Sequence, residues 1–215
     1  MIKIIACLTM LIDHIGMIFF PNILIFRCIG RVSMPLFAYS IARGYFYSKK
    51  NLSIRKYVKN LFLFTIVSQI PYSFMNNGMN IGATWLISVI LLYLLENKKS
   101  VVNIFIIMTF IIVLIYILKF DYGIYGVLMP IVMYKLMICN RNPYIAFVLM
   151  IILWSIYVII NRGSSGSLIQ VLSFISIFLI TLIDKYDYKI RLSKWIFYSF
   201  YPIHILVLIG LRTII

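Results

Sequence analysis

Ionisable residues interrupt the first two apolar runs of this 215-residue chain, where charge is costly. Asp13 and His14 are adjacent within the run over residues 2–20, and Arg27 and Arg31 lie in the opening half of the next run. The whole chain contains only five acidic residues and two histidines. Because a charged side chain near the centre of a membrane helix costs roughly 3 kcal/mol, such residues usually face a bundle interior and mark a site.

The spacing predicts that these four side chains meet. Arg27 and Arg31 are four residues apart and therefore share one face of a helix. The short break between the two runs predicts antiparallel neighbouring helices. At a rise of about 1.5 Å per residue, His14 lies about 9 Å below the membrane boundary, between the arginines at about 6 and 12 Å. An ion pair between Asp13 and an arginine would keep the carboxylate ionised.

Two interpretations of these residues stay open. In the functional one His14 is a general base, because imidazole titrates near neutral pH and can both take and return a proton. Asp13 then orients or polarises the ring, and Arg31 or Arg27 stabilises an oxyanion or holds a phosphate. In the structural one Asp13 and an arginine form an ion pair for packing, and His14 is packed between them.

Other polar residues within apolar runs are weaker candidates. His204 lies mid-span, three residues after Tyr201, and an intervening proline is expected to open the helix and free backbone carbonyls. Ser68 and Gln69 fall near the end of the third run, and Asp121 precedes the sixth. For each of these residues, capping, packing or interfacial anchoring is the alternative explanation.

The composition predicts a membrane protein. Hydrophobic residues make up 64% of the chain and charged residues 12%, which is too little polar surface for a soluble domain. The net charge of +15 does not predict a nucleic-acid partner, because the basic residues cluster in short loops as the positive-inside rule requires. We expect no metal cofactor, since metal-ligand spacings and phosphate-loop motifs are absent and carboxylates are few.

About nine apolar runs are long enough to approach the roughly 20 residues that a helix needs to cross a bilayer. The chain is therefore predicted to form one domain, residues 1–215, with an all-α, polytopic transmembrane helical bundle. The runs cover residues 2–20, 24–46, 57–75, 81–96, 101–119, 122–139, 143–161, 168–184 and 195–213.

Loop charges predict the orientation of this bundle. Alternate breaks carry most of the basic residues, namely Lys49, Lys50, Arg55, Lys56, Lys59, Lys98, Lys99, Arg141, Lys185, Lys189, Arg191 and Lys194. The opposite breaks hold Lys119 and Arg162, with Arg212 near the end of the chain. Because cytoplasmic loops carry the excess of lysine and arginine, the N-terminus is predicted to be cytoplasmic.

Short motifs spread over nearly the whole chain resemble those of the TraX family. They are KIIA at residues 3–6, TMLIDHIG at 9–16, RCIGR at 27–31, PLFA at 35–38, SQIP at 68–71, DYGIYG at 121–126 and FYSFYPIH at 197–204. Each motif is short, and their specificity comes from their number and their order along the chain.

The resemblance implies an integral membrane acyltransferase of the bacterial cytoplasmic membrane. The family is named for the conjugation protein that N-acetylates pilin, and related membrane acyltransferases use acyl-CoA to modify sugars and lipids. Those relatives place a histidine of an early span at the reaction centre, which corresponds here to His14, and arginines near the donor, which Arg27 or Arg31 would supply. Acetyl-CoA would then be the co-substrate, with Ser68, Gln69, Asp121, Tyr201 and His204 as further substrate- or acyl-CoA-binding candidates.

The acceptor class stays open at this point. It is a peptide, glycan or lipid that offers an amine or a hydroxyl. The alternative function is non-enzymatic, a transporter or assembly factor in which the Asp/Arg pair serves packing alone.

Overall fold

The computed structural model of the chain describes residues 1–97, 101–186 and 193–214, with the side chains of residues 101, 104 and 194 left out. Regular structure in these ranges is helical. The helices are α1 Ile2–Phe19, α2 Leu24–Gly30, α3 Ser33–Lys50, α4 Ile54–Ser73, α5 Ile81–Glu96, α6 Val101–Ile117, α7 Gly123–Val132, a π-helix Met133–Cys139, α8 Pro143–Ile160, α9 Ser165–Ile169, a 3-10 helix Gln170–Phe174, α10 Ile175–Lys185 and α11 Lys194–Ile214.

Five helical stretches in the described ranges are long and apolar enough to cross a membrane: Ile2–Phe19, Leu24–Lys50, Pro143–Ile160, Ser165–Lys185 and Trp195–Ile214. Three shorter apolar stretches, Ile81–Glu96, Phe105–Ile117 and Gly123–Cys139, accompany them. The all-helical bundle with several candidate membrane spans is therefore confirmed, whereas the count of nine spans and the cytoplasmic N-terminus stay predictions. Lys98, Lys99, Lys189 and Arg191, on which the orientation partly depends, lie outside the described residues.

Each predicted apolar run overlaps a helix, because backbone polar groups in hydrocarbon must be paired within the same segment. Turn residues set several boundaries. Asn80 precedes α5 and its side-chain oxygen accepts hydrogen bonds from the backbone N–H groups of Gly82 and Ala83. Asn142 caps α8 in the same way, and Pro143 occupies the first position of that helix, where proline is favoured. The second run continues to Lys50, four residues beyond the predicted end at residue 46, because basic side chains are tolerated at a helix C-terminus.

The centre of the bundle is α3. Leu36, Ala38, Ala42 and Tyr45 of this helix are fully buried. Helices α1, α4, α7, α10 and the π-helix all pack against it. A second, smaller apolar cluster joins α5, α6 and α7. Helices α1, α2 and α4, which carry candidate residues, are held around α3, whereas α11 is held by α1 and α4.

Three arrangements bring the candidate residues together. Helices α1 and α2 are antiparallel neighbours joined by residues 20–23, and α11 packs between α1 and α4. The loop before α7 is fixed at Asp121, whose backbone N–H donates to the carbonyl oxygen of Met79 over 3.0 Å. The hydroxyl of Thr84 donates to the carbonyl oxygen of Asp121 over 2.9 Å. Helix α2, helix α11 and the loop before α7 thereby lie next to α1, although α11 and the loop are far from it in the sequence.

Candidate functional site

Asp13 lies between the two arginines of the second run. Arg31 Nη2 donates to both of its carboxylate oxygens, at 3.2 Å and 3.4 Å, and Arg27 Nη1 lies 2.9 Å from Oδ2. Asp13 is 8% and Arg31 6% exposed. Because an isolated buried charge is far more costly than a paired one, the carboxylate of Asp13 and the two guanidinium groups compensate each other's burial. The ion pair expected from the sequence is present, with both arginines.

Glycines permit this close approach of α1 and α2. A Cβ added at Gly30 would overlap the Asp13 side chain, and one added at Gly16 would overlap the Phe26 side chain. The carboxylate therefore lies directly against the backbone of α2 at Gly30. The short RCIGR motif thus supplies both arginines and the small residue that lets Asp13 reach them.

The guanidinium of Arg31 is held by several further groups. Its Nε donates to the carbonyl oxygen of Arg27 over 3.2 Å, and its Nη1 lies 3.4 Å from both the Tyr122 hydroxyl and Gln170 Oε1. The centre of the guanidinium lies 5.9 Å from the ring centroid of Tyr122. Tyr122 adopts a left-handed backbone conformation with φ of 58°, which is unusual for a bulky residue and is often found at functional sites.

His14 is oriented by the only other histidine of the chain. Its Nδ1 lies 2.7 Å from His204 Nε2, and the two rings are inclined by 6° with centroids 4.9 Å apart, as an in-plane hydrogen bond requires. His204 Nδ1 lies 2.7 Å from the carbonyl oxygen of Phe200, which can only accept. His204 therefore carries its proton on Nδ1, and its Nε2 accepts the proton of His14 Nδ1.

These two hydrogen bonds determine the tautomer of His14, because the carbonyl of Phe200 can only accept. With its proton on Nδ1, the neutral His14 ring keeps an unprotonated lone pair on Nε2. That lone pair is what a general base needs. The group that orients His14 is an imidazole and not the carboxylate of Asp13 that the sequence interpretation favoured, because Asp13 is engaged by the arginines.

Helix α11 runs unbroken through Pro202, contrary to the expected opening. The carbonyl that orients His204 belongs to Phe200, on the same helix one turn earlier. Tyr201 is buried beside both histidines, with ring centroids 6.3 Å from His14 and 5.7 Å from His204. A continuous helix is compatible with the proline because neighbouring groups can take over the backbone hydrogen bond that proline lacks.

A small cavity of about 50 Å³ adjoins this cluster, with room for on the order of three water molecules. Its polar lining comes from Asp13, His14, Ser33, Asp121, Tyr122, Tyr201 and Trp85. Neither arginine lines it. Trp85 Nε1 is buried without a hydrogen-bond partner. The residues that line the cavity therefore include a candidate base, two carboxylates and an indole whose N–H has no partner.

A second cavity of about 90 Å³ shares four lining residues with the first, Met10, Phe37, Trp85 and Tyr201. From there it extends to Lys3 at the start of α1 and Gly44 near the end of α3. The lining in between is largely aromatic and aliphatic. The two cavities together mark a path from the end of the bundle where α1 begins to the neighbourhood of His14.

Most of the predicted site residues converge. Asp13, His14, Arg27, Arg31, Asp121, Tyr201 and His204 belong to the cluster or to its cavity. Ser68 and Gln69 do not line this cavity. Gln69 instead holds the turn before α5: its Nε2 donates to the carbonyl oxygen of Gly78, and its Oε1 accepts from the backbone N–H of Asn80, both over 2.9 Å. Ser68 is fully buried on α4.

The sequence interpretation missed Gln170 and gave Tyr122 and Trp85 no role. Gln170 is fully buried, its Oε1 faces Arg31, and its Nε2 has no hydrogen-bond partner. The signal was available, because Gln170 is a polar amide inside the apolar run 168–184, where it needs hydrogen-bond partners. Among the described residues no group of three or more His, Cys, Asp or Glu side chains is arranged to hold a metal ion.

The comparisons with known proteins confirm the resemblance that the motifs indicated. A family model described as TraX protein matches residues 1–212. An uncharacterized protein of Rickettsia prowazekii (strain Madrid E), RP591, is 38% identical over 68 residues. That match covers 31% of this chain and 27% of the length of the Rickettsia protein. No solved structure matches the chain significantly.

Proposed function

The chain belongs to the TraX family, and on that premise we propose that it is a membrane-embedded acetyltransferase. It moves an acetyl group from acetyl-CoA to an amine or a hydroxyl of an acceptor. The single observation that carries the proposal is the hydrogen-bond chain from Phe200 through His204 to His14, because it leaves His14 Nε2 available as a base beside a buried cavity.

The reaction follows from that base. His14 Nε2 takes the proton of the acceptor amine or hydroxyl, and the freed electron pair attacks the thioester carbonyl carbon. The tetrahedral oxyanion then collapses, the carbon–sulfur bond breaks, and the departing thiolate takes the proton back from His14. The products are the acetylated acceptor and CoA with a free thiol, so His14 is regenerated in its starting state.

Oxyanion stabilisation is assigned to donors that reach the cavity. The Tyr122 hydroxyl accepts from Arg31, so its own hydrogen is available to an oxyanion, and the nearby guanidinium strengthens it as a donor. Trp85 also lines this cavity, and its unpaired indole N–H is a second candidate donor. Arg31 acts through Tyr122 and Asp13, since the guanidinium itself does not line the cavity. This makes Arg31 a positioning residue.

The second cavity supports a route for the acyl donor. It leads from Lys3 and Gly44 to Trp85 and Tyr201, and it is narrow and mostly apolar, as suits an extended thioester arm. By the loop-charge argument this end of the bundle is cytoplasmic, where acetyl-CoA is available. Lys3, which lines this cavity, and Arg43 of α3 would attract its phosphates. The protein would accordingly act in the bacterial cytoplasmic membrane.

The acceptor is an amine if the function follows the pilin N-acetylation for which the family is named, and a hydroxyl of a glycan or lipid otherwise. The non-enzymatic alternative, a transporter or assembly factor, is supported by one observation. Both arginines form ion pairs with Asp13, as a packing device requires. The non-enzymatic alternative does not account for the free nitrogen of the His14 ring or for the cavity beside it.

Acetyl transfer in inverted membrane vesicles tests the proposal. Vesicles containing the wild type, His14→Ala or His14→Gln would receive radiolabelled acetyl-CoA, and label would be followed into peptide, glycan and lipid fractions. We expect labelling of one fraction by the wild type and a loss of roughly 100-fold to 10,000-fold in both variants, the usual contribution of a general base.

The matched control is Leu8→Ala, a substitution on the exposed face of α1. This variant should label as the wild type does, and all three variants should be present in the membrane and elute as single species in detergent. Equal labelling by the wild type and the His14 variants would return His14 to a structural role. A wild type that labels none of the three fractions would favour the transporter or assembly factor.

A further inference from the structure

A long groove on the outside of the bundle follows α4 and α5 and lies apart from the His14 cavity. Its larger part, of about 1390 Å³, starts where α3 ends and α4 begins, among basic residues. Its continuation, of about 620 Å³, follows α4 and α5 to the loop before α5, with α6 as a third wall. Phe62 and Leu86 line both parts. We refer to the whole as the α4–α5 groove. Its larger part alone exceeds the roughly 300–1,000 Å³ of a typical small-molecule pocket.

One end of the α4–α5 groove is strongly cationic. Lys49, Arg55, Lys56 and Lys59 all line it. Lys49 is neutralised by Glu96 at 2.9 Å, whereas the other three form no ion pair within the described part of the chain. The positive-inside rule explains why basic residues occur at this end of the bundle, but not why four of them line a single groove.

The rest of the groove is apolar and open to the surroundings. Phe62 is 50% and Ile90 40% exposed. The helix rise of about 1.5 Å per residue places Phe62 about 10 Å from Arg55 along α4, so cationic and apolar linings are separated as a lipid headgroup and its acyl chain are. A small soluble anion would leave the apolar walls uncovered, whereas a membrane lipid covers both linings at once.

We infer that the α4–α5 groove is a binding site for one anionic phospholipid. The phosphate lies among Arg55, Lys56 and Lys59, and an acyl chain follows Phe62 and Leu86 along the groove. Anionic lipids of the cytoplasmic leaflet are attracted to basic residues near the membrane surface, by about fivefold in affinity per charge. This site is independent of acyl transfer, because it depends only on charge and shape.

Helix α4 connects the α4–α5 groove with the interior of the bundle. Tyr57, Leu61 and Phe64 of this helix line the cavity that leads towards His14, whereas Val58 and Phe62 line the α4–α5 groove. The two linings are therefore on different faces of one helix. A lipid seated in the groove holds α4 against α5 from the side that the neighbouring helices leave open.

Native mass spectrometry of the purified, detergent-solubilised full chain tests the inference. Phosphatidylglycerol, phosphatidylcholine and inorganic phosphate would be titrated separately, and bound adducts counted. We expect one phosphatidylglycerol per chain, bound at least tenfold more tightly than phosphatidylcholine. Inorganic phosphate should neither bind nor compete at equal concentration. Competition by phosphate as effective as by the lipid would overturn the lipid assignment in favour of a free-anion site.

Two groups of variants separate the groove from overall charge. The triple variant Arg55→Gln/Lys56→Gln/Lys59→Gln should weaken phosphatidylglycerol binding at least tenfold. The matched control Lys50→Gln/Arg141→Gln/Lys185→Gln removes three exposed charges that do not line the groove, and should bind as the wild type does. Equal weakening in both triple variants would overturn the inference, because attraction would then depend on net charge.

A groove-filling variant tests the apolar half without changing charge. Ile90→Trp adds bulk to the exposed wall of the groove, and should weaken phosphatidylglycerol binding while elution of the protein as a single species is unchanged. Unaltered binding by this folded variant would show that the headgroup is held without the groove. That result would contradict the site as described.

Discussion

Asp13 and Glu96 are carboxylates that each lie beside two cations, but Asp13 is buried and Glu96 is only partly buried. Glu96 accepts from the hydroxyls of Tyr45 and Tyr134 at 2.7 Å and 2.9 Å, and lies 2.9 Å from Lys49 and 3.7 Å from Lys135. These contacts tie the ends of α3, α5 and the π-helix together. Three of these groups donate hydrogen bonds to its two oxygens and Lys135 adds an ion pair, so the cluster is complete in itself.

The Asp13 cluster, in contrast, has polar groups left over. Gln170 Nε2 and Trp85 Nε1 are buried donors without partners, and His14 keeps a free ring nitrogen. A cavity adjoins these groups. The comparison teaches that a buried ion pair alone does not distinguish a site from a structural tie. Hydrogen-bonding groups that lack partners next to a cavity do distinguish a site, because buried polar groups usually have partners.

Removing the charge of Asp13 should have the largest effect on stability. Asp13→Asn leaves Arg27 and Arg31 without a carboxylate, and a buried charge that loses its partner costs about 3–5 kcal/mol. The free energy of unfolding, measured in detergent micelles, should fall by that amount, well beyond the loss in Glu96→Gln. Equal losses in the two variants would show that the clusters are equivalent.

Changing the partner of His14 should chiefly affect catalysis. His204→Leu removes the acceptor of His14 Nδ1 and should lower the turnover number about 100-fold at an unchanged KM, the lower end of what a general base contributes. His204→Gln keeps an acceptor oxygen and should recover most of the rate. The pH–rate profile should shift in His204→Leu and stay unchanged in His204→Gln. A rate lost equally in both variants, with parallel losses of stability, would make His204 structural.

Adding bulk at the contact between α1 and α2 should have an intermediate effect on stability. Gly30→Ala places a methyl group where the Asp13 side chain lies, and overpacking of this kind typically costs about 1–3 kcal/mol. The thermal unfolding midpoint and acetyl transfer should both fall. Gly210→Ala, where an added Cβ meets nothing within 4 Å, is the matched control and should resemble the wild type. A tolerant Gly30→Ala would contradict the close approach of Asp13 to α2.

Neutralising Glu96 should have the smallest effect. Both lysines are about half exposed, at 51% and 47%, so their attraction to Glu96 is screened by solvent, and Gln keeps hydrogen-bonding capacity for the two tyrosines. We expect the free energy of unfolding to fall by about 1 kcal/mol. Acetyl transfer should stay within twofold of the wild type. A loss of transfer comparable to that of the His14 variants would place Glu96 in the reaction and remove the distinction between the clusters.

Much of this architecture could be predicted from the sequence. The apolar runs gave the helices, since a bilayer leaves the backbone few alternatives. The spacing of Arg27 and Arg31 and the short break before them gave the ion pair with Asp13. Gln69 shows the limit of such predictions. Its position in an apolar run marks it as unusual, but does not reveal that it holds the turn before α5 through Gly78 and Asn80.

The sequence by itself determined the helical bundle, the family, and the pairing of Asp13 with the arginines, because these depend on local periodicity and on neighbours in the chain. Only the tertiary structure decided which group orients His14. Its partner, His204, is 190 residues away, and the packing of α11 against α1 brings the two rings into one plane. Gln170 reaches Arg31 for the same reason. Helix packing is set by complementary surfaces over the whole chain, so no local pattern could have identified these contacts.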